Sequence, residues 1–347
     1  MHNLRSTRSL WATTICAAAC LSLTACGQNA LLPRVGGQGP VMAQQSSTER
    51  LARAFTSNTW TSGAPLPTKR LGAGAAVVGT KIYVIGGFGT RGALGKNEIY
   101  DTATNKWTTG ASMPTKRWVL AAQAVNGIVY AIGGDIGNSN TQLSTVEAYD
   151  PVHNTWSTKA SMPVAVSSMS SSVDGGLIYI VGGYTNATGR YNGVEVYNPS
   201  SDSWTSAASL NVAKSNPNVG TVGSDIVAAG GLANSGKVVE DNEVYDPQTN
   251  TWTTKKNVPA PNSGACSAGI GGSLYAAGGV KLTSPLVTLN AYDLSTNSWS
   301  KLAPMPFAAI LPAAATVNGK LYCIGGAKSG DTVHHDEYYN YVQIYQP

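Results

Sequence analysis

Charge is scarce in this chain. Only 12% of its 347 residues are Asp, Glu, Lys or Arg, and they form no basic cluster or stripe, so the electrostatic footprint of a nucleic-acid partner is missing. Histidine numbers four. Apart from His2 these are His153, His334 and His335, with no second cluster to complete a metal site around the adjacent pair. Of five cysteines, Cys16, Cys20 and Cys26 lie near the N-terminus, leaving Cys266 and Cys323 for the remainder. Long apolar runs are also lacking. The one candidate, Leu10 to Ala25, is too short for a comfortable membrane span and follows Arg5 and Arg8 as a secretory signal would. Removing that leader lowers the formal charge from +5 to +3.

What the chain has instead is repetition. Paired glycines recur at 86–87, 133–134, 182–183, 230–231, 278–279 and 325–326, in step with Trp60, Trp107, Trp156, Trp204, Trp252 and Trp299, at a period of 47 to 49 residues. An apolar residue stands six positions after each Trp: Leu66, Met113, Met162, Leu210, Val258 and Met305. A Tyr precedes each internal Trp by seven, at 100, 149, 197, 245 and 292. Only the interval from the second glycine to the Tyr varies, from 13 to 15 residues internally and 19 before Tyr345, so insertions collect in one loop per unit. Units of this length bury a core only by stacking on their neighbours.

Within a unit the pattern predicts four short strands. Apolar stretches such as Ala75–Val78 and Ile82–Ile85, parted by Gly79-Thr80 or Asn126-Gly127 in the next unit, read as a tight hairpin. The third strand carries the Tyr and the fourth the Trp. Between them runs Asp-Pro-Gln-Thr-Asn-Thr-Trp at 246–252, with close copies at 150–156 and 198–204. Asp opens this turn, Pro presets φ, and the residue two before Trp (Asn58, Asn105, Asn154, Asp202, Asn250 or Asn297) tolerates the left-handed conformation.

Paired glycines, Tyr and Trp at these spacings resemble kelch repeats, in six copies. The resemblance implies an all-β fold, a six-bladed β-propeller with one four-stranded blade per repeat. Trp60 precedes the first glycine pair and Tyr345 nearly ends the chain. The last blade is therefore expected to be composite, its outermost strand coming from the N-terminus and its inner three from about 307 to 346. Leu23-Thr24-Ala25-Cys26 resembles the bacterial lipobox, which implies cleavage before Cys26 and acylation of its thiol. The expected organisation is a signal peptide over 1–25, a lipid-anchored flexible tether over 26–55 and a propeller over 56–347. The protein would be exported, held to a bacterial membrane by the anchor alone, and monomeric. Cys266 and Cys323 occupy small-residue positions of neighbouring blades and read as core residues, with a disulfide left to geometry.

Function is sought where the repeat is broken. Glu98, Glu147, Glu195 and Glu243 each stand two before the repeat Tyr, and a ring of equivalent acids reads as scaffold hydrogen bonding rather than catalysis. Kelch proteins commonly bind ligands through the second-to-third loops and the loops joining one blade to the next, which is where this chain varies. From the first set come Phe88, Arg91, Asp135, Asn138, Tyr184, Asn186, Arg190, Tyr191, Asn234 and Lys281, and from the second Lys69-Arg70, Lys116-Arg117-Trp118 and Lys214. Arg70 and Arg117 match a position where family members grip carboxylates; pairing with a neighbouring blade is the other reading. The long polar segment Asp331–Tyr339 adds His334, His335 and Tyr338 as ligand contacts. The leading expectation is a binding module for a glycan or an envelope protein, without cofactor or metal. The alternative resembles sialic-acid mutarotase, with Arg70, Arg117 and Arg190 holding a substrate carboxylate and Asp135 or Glu337 moving the proton. Copper radical oxidases share the fold but need two separated histidines that this chain does not provide.

Overall fold

In the computed structural model the described residues are 57–137, 141–328 and 337–347, all within one compact unit spanning Thr48–Pro347. The leader, Cys26, the tether, Asn138, His334 and His335 lie outside the described residues. Every regular element described is a β-strand.

Six four-stranded antiparallel sheets form the blades. The innermost strands are Gly74–Val78, Ala121–Val125, Ser170–Asp174, Asn218–Val222, Cys266–Ile270 and Ala313–Val317. Small residues recur on them because six such strands converge around the central channel. Blade six is composite, as the order of repeat marks requires. Its outermost strand is Thr59–Ser62, which pairs with Val342–Gln346 in the register Trp60 opposite Tyr345.

One recurring clamp joins each blade to the next. The Asn at the left-handed turn position (φ 52° at Asn250) accepts from the Tyr hydroxyl of its own blade and from a backbone N–H at the exit of the preceding one. Asn250 Oδ1 thus takes Tyr245 Oη at 2.8 Å and Ala208 N–H at 2.8 Å, and Trp252 Nε1 donates to the Ala208 carbonyl at 2.8 Å. Asn58 and Trp60 do the same to Ala303, with Tyr345 as the donor, and so seal the ring with the same bonds. The glycine pairs lie where adjacent backbones approach: a Cβ on Gly86 would fall 2.5 Å from the Arg117 carbonyl, while Gly87 N–H donates to that carbonyl at 3.0 Å.

The two cysteines are more than small core residues. Cys266 of blade five and Cys323 of blade six are joined by a disulfide, their Cα atoms 5.6 Å apart. The cross-link ties the closing blade to its neighbour, and both cysteines are buried.

Candidate functional site

A single face collects the variable loops. In every unit a residue leading into the innermost strand bridges to one just after a glycine pair: Leu71 to Phe88, Trp118 to Asp135, Ser167 to Tyr184, Ser215 to Leu232, Ser263 to Val280 and Ile310 to Ala327. Next to each first-named residue stands a position with φ between 43° and 65°, occupied by Gly72, Val119, Ser168, Asn216, Gly264 and Leu311. These six residues form a closed ring of backbone hydrogen bonds at the channel mouth, each N–H donating to the preceding member's carbonyl at 2.7 to 3.1 Å. A β-branched residue at φ 43°, Val119, costs conformational energy and persists because the ring leaves it no alternative. The ring's side chains differ around the circle: apolar at Val119 and Leu311, polar at Ser168 and Asn216, absent at the two glycines.

Arg70 and Arg117 do not reach this face, so they leave the set of expected ligand contacts. Their relative exposures are 1% and 0%. Arg117 donates through Nη1 to Glu147 Oε2 at 2.6 Å and through Nη2 to the Ala131 carbonyl at 2.9 Å, while Thr115 Oγ1 donates to Glu147 Oε1 at 2.9 Å. Arg70, Glu98 and Thr68 repeat the arrangement, with Arg70 Nη1 2.5 Å from Glu98 Oε2. Burial lowers both arginine pKa values and the paired glutamates pull them back up. In blade four Lys214 takes the cationic place, bonded to Asp241 and Glu243. Blade three has Val166 there, and Glu195 is held by Tyr191 Oη and Ser206 Oγ at 2.8 and 2.9 Å. That bond turns Tyr191 away from the loop face and, with burial as the larger cause, raises its pKa. The four glutamates are thus hydrogen-bonding scaffold, as their repetition suggests.

Trp118, Asp135, Tyr184 and Arg190, by contrast, meet in one cleft. It has a volume of about 470 Å³ and is also lined by Gln142, Ser167, Ser168, Ser215 and Asn216. Long hairpin strands, Leu177–Thr185 and Gly189–Asn198, place Tyr184 directly opposite Arg190, and alternation sends Arg190 and Tyr191 to opposite sides. The guanidinium lies 5.2 Å over the Tyr184 ring, and Asn234 fixes the Arg190 backbone N–H at 2.7 Å. Trp118 packs on Phe88 with ring centroids 5.1 Å apart. Asp135, 7% exposed, accepts from Gly137 N–H at 2.6 Å and Gln142 Nε2 at 3.2 Å. Three of the lining residues each carry a buried side-chain polar atom without a protein partner, Trp118 Nε1, Gln142 Oε1 and Arg190 Nε.

The remaining candidates are scattered. Tyr338 is buried beside Leu71 and Ala327. Glu337 pairs with the exposed Lys328 at 3.6 Å. Lys69, Arg91, Lys116, Asn186 and Lys281 are exposed and line none of the cleft. His153 sits in a peripheral turn, 2.5 Å from Asp150. Sequence reasoning missed Ser168, Asn216 and Gln142. The signal for Ser168 and Asn216 was a residue type that changes at a fixed repeat position, six after the apolar anchor, where Gly, Val, Ser, Asn, Gly and Leu succeed one another; Gln142 lies in the variable second-to-third loop of its unit.

Comparison with known families places the chain. The Kelch motif matches residues 69–114, 120–163, 165–211, 213–259 and 261–306, more than half of the sequence, and the protein belongs to the kelch-repeat family. The sixth unit is split between the termini, which accounts for five matches to six blades. No curated protein matches. Among solved structures, that of YjhT superposes with a TM-score of 0.69 at 18% identity, covering 80% of this chain and 94% of that one; at that identity the likeness concerns the fold.

Proposed function

We propose that this protein is an exported binding module, anchored through acylated Cys26 and the following tether, whose propeller presents the Trp118–Arg190 cleft to a glycan or an envelope protein. The observation that carries this reading is one cleft on the variable-loop face that brings together Trp118, Asp135, Tyr184 and Arg190 from neighbouring blades. An aromatic wall, hydroxyl and amide groups on the floor and a partly exposed cation are the furniture of a recognition site. The disulfide suits an oxidising compartment, and the low charge suits an extracytoplasmic surface.

The sugar-isomerising alternative retains only Arg190 of its three arginines in the cleft. Of its two candidate acids Glu337 pairs with Lys328 and does not line the cleft, which leaves Asp135 and a single arginine, so binding is the preferred reading. A glycan and peptide array probed with the soluble 57–347 fragment tests it. Signals on wild type that vanish in Trp118→Ala at unchanged Tm support the cleft; signals indifferent to that change refute it. Mass spectrometry of the mature N-terminus, expected to be diacylglyceryl-Cys26, tests the anchor, and an unmodified Cys26 refutes it.

A further inference from the structure

Two charges of opposite sign face the same cleft without meeting. Arg190 rests on Tyr184, and its Nε has no protein partner. Asp135, from the neighbouring blade, is held by a backbone amide and the Gln142 amide, neutral donors that leave its negative charge whole. Among the described residues no ion pair joins Asp135 to Arg190. A carboxylate offers about four acceptor sites, so Asp135 retains capacity for a ligand. The Arg190 side chain, only partly buried, supplies the cation on the other side of the cleft.

Each simple ligand class leaves one of these charges unmatched. A neutral sugar would satisfy hydrogen bonds yet desolvate both charges without a counter-charge. A plain carboxylate would pair with Arg190 but meet Asp135, and a plain amine would do the reverse. The electrostatic complement carries both signs on one small frame. Resting on the reading of this cleft as the ligand site, we propose that it recognises an α-ammonium carboxylate: a free amino acid, or a side chain that ends in one. The carboxylate lies against the Arg190 guanidinium, the ammonium against Asp135, and the body beside the Trp118 and Tyr184 rings that line the cleft. A volume of about 470 Å³ falls within the usual range of small-ligand sites and leaves room for a side chain.

Thermal shift and calorimetric titration with free L- and D-amino acids, their N-acetyl derivatives, their amides and methyl glycosides test this. A subset of free amino acids should raise Tm by about 2–4 °C at tenfold excess over Kd. N-acetylation or amidation should weaken binding about tenfold or more, by loss of one charged contact. Arg190→Gln should abolish the penalty for amidation without lowering the Tm of the free protein, and Asp135→Asn should abolish the penalty for N-acetylation. Glycosides or N-acetyl compounds that bind as well as free amino acids, with Trp118→Ala still abolishing them, would overturn the ligand class and leave the cleft in place. Binding indifferent to both Trp118→Ala and Arg190→Gln would overturn class and cleft together. No response to any amino acid overturns the proposal.

Discussion

Gly72 donates its backbone N–H to the carbonyl of Leu311 at 2.9 Å, and that bond joins the first unit of the chain to the last. It completes the ring around the channel mouth. On the perimeter, Asn58 and Trp60 complete a second closure against Ala303. The propeller is therefore sealed twice, near its axis by backbone and at its rim by side chains, and each seal copies bonds made at the other five junctions.

The rim seal is testable by a single substitution. Asn58→Ala removes two hydrogen bonds, to Tyr345 and Ala303, and puts a Cβ residue without a polar side chain at φ 59°. The expected loss is roughly 2–4 kcal/mol in urea unfolding. Deleting residues 57–62 should abolish the cooperative transition, and a deletion that unfolds like wild type would show that the terminal strand does not close the ring.

Reduction should weaken the same region. Cys266 and Cys323 are 57 residues apart, and closing a loop of that size restricts the unfolded chain by about 4 kcal/mol in the entropic account. The Cys266→Ser, Cys323→Ser double variant should lose about that much by chemical denaturation. A loss under about 1 kcal/mol would mean that the cross-link constrains little.

Arginines at the two depths should behave oppositely. Arg117→Met strands Glu147 in the core and should cost about 3–5 kcal/mol, whereas adding Glu147→Leu should restore much of it. Arg190→Gln should leave the urea midpoint nearly unchanged, because its guanidinium makes a ring contact and no ion pair. Equal destabilisation by Arg117→Met and Arg190→Gln would contradict this division of roles.

Blade four holds a buried carboxylate with a pH dependence of its own. Burial raises the Asp241 pKa, Lys214 pulls it back and Glu243 raises it again; with two carboxylates sharing one ammonium, the direction is upward. A folded-state pKa above the unfolded one contributes stability that is complete below the ordinary aspartate value of 3.8 and fades as pH rises through the folded value. Asp241→Asn does not ionise and avoids that loss. The stability of wild type minus that of the variant should fall as pH rises above the ordinary aspartate value, and a rising difference would show that the Lys214 pair dominates.

Much of the architecture was legible because glycine, Tyr and Trp mark backbone events that recur in phase: a close approach at Gly86-Gly87, a clamp at Tyr245, Asn250 and Trp252. Depth was not legible. Arg70 and Arg117 hold a repeat position next to loop residues, and spacing alone does not distinguish a side chain that turns inward to Glu98 or Glu147 from one that turns out. The co-occurrence of Arg or Lys with Glu in units one, two and four was the available hint. Cys266 and Cys323 occupy different strands of different repeats, so their approach depends on how blades stack. Four cleft residues were foreseen from loop variability, but Ser168 and Asn216 owe their place to a left-handed backbone imposed by ring closure; Asn216 is a type that tolerates that conformation, whereas Ser168 gives no such mark.

The central claim is that the Trp118–Arg190 cleft is where this propeller meets its ligand. Hydrogen–deuterium exchange of the soluble fragment, with and without an array-positive compound, tests it most directly. The account predicts slower exchange at Trp118, Tyr184, Arg190 and Asn216, with the opposite blades unchanged; protection confined to blades five and six would contradict it.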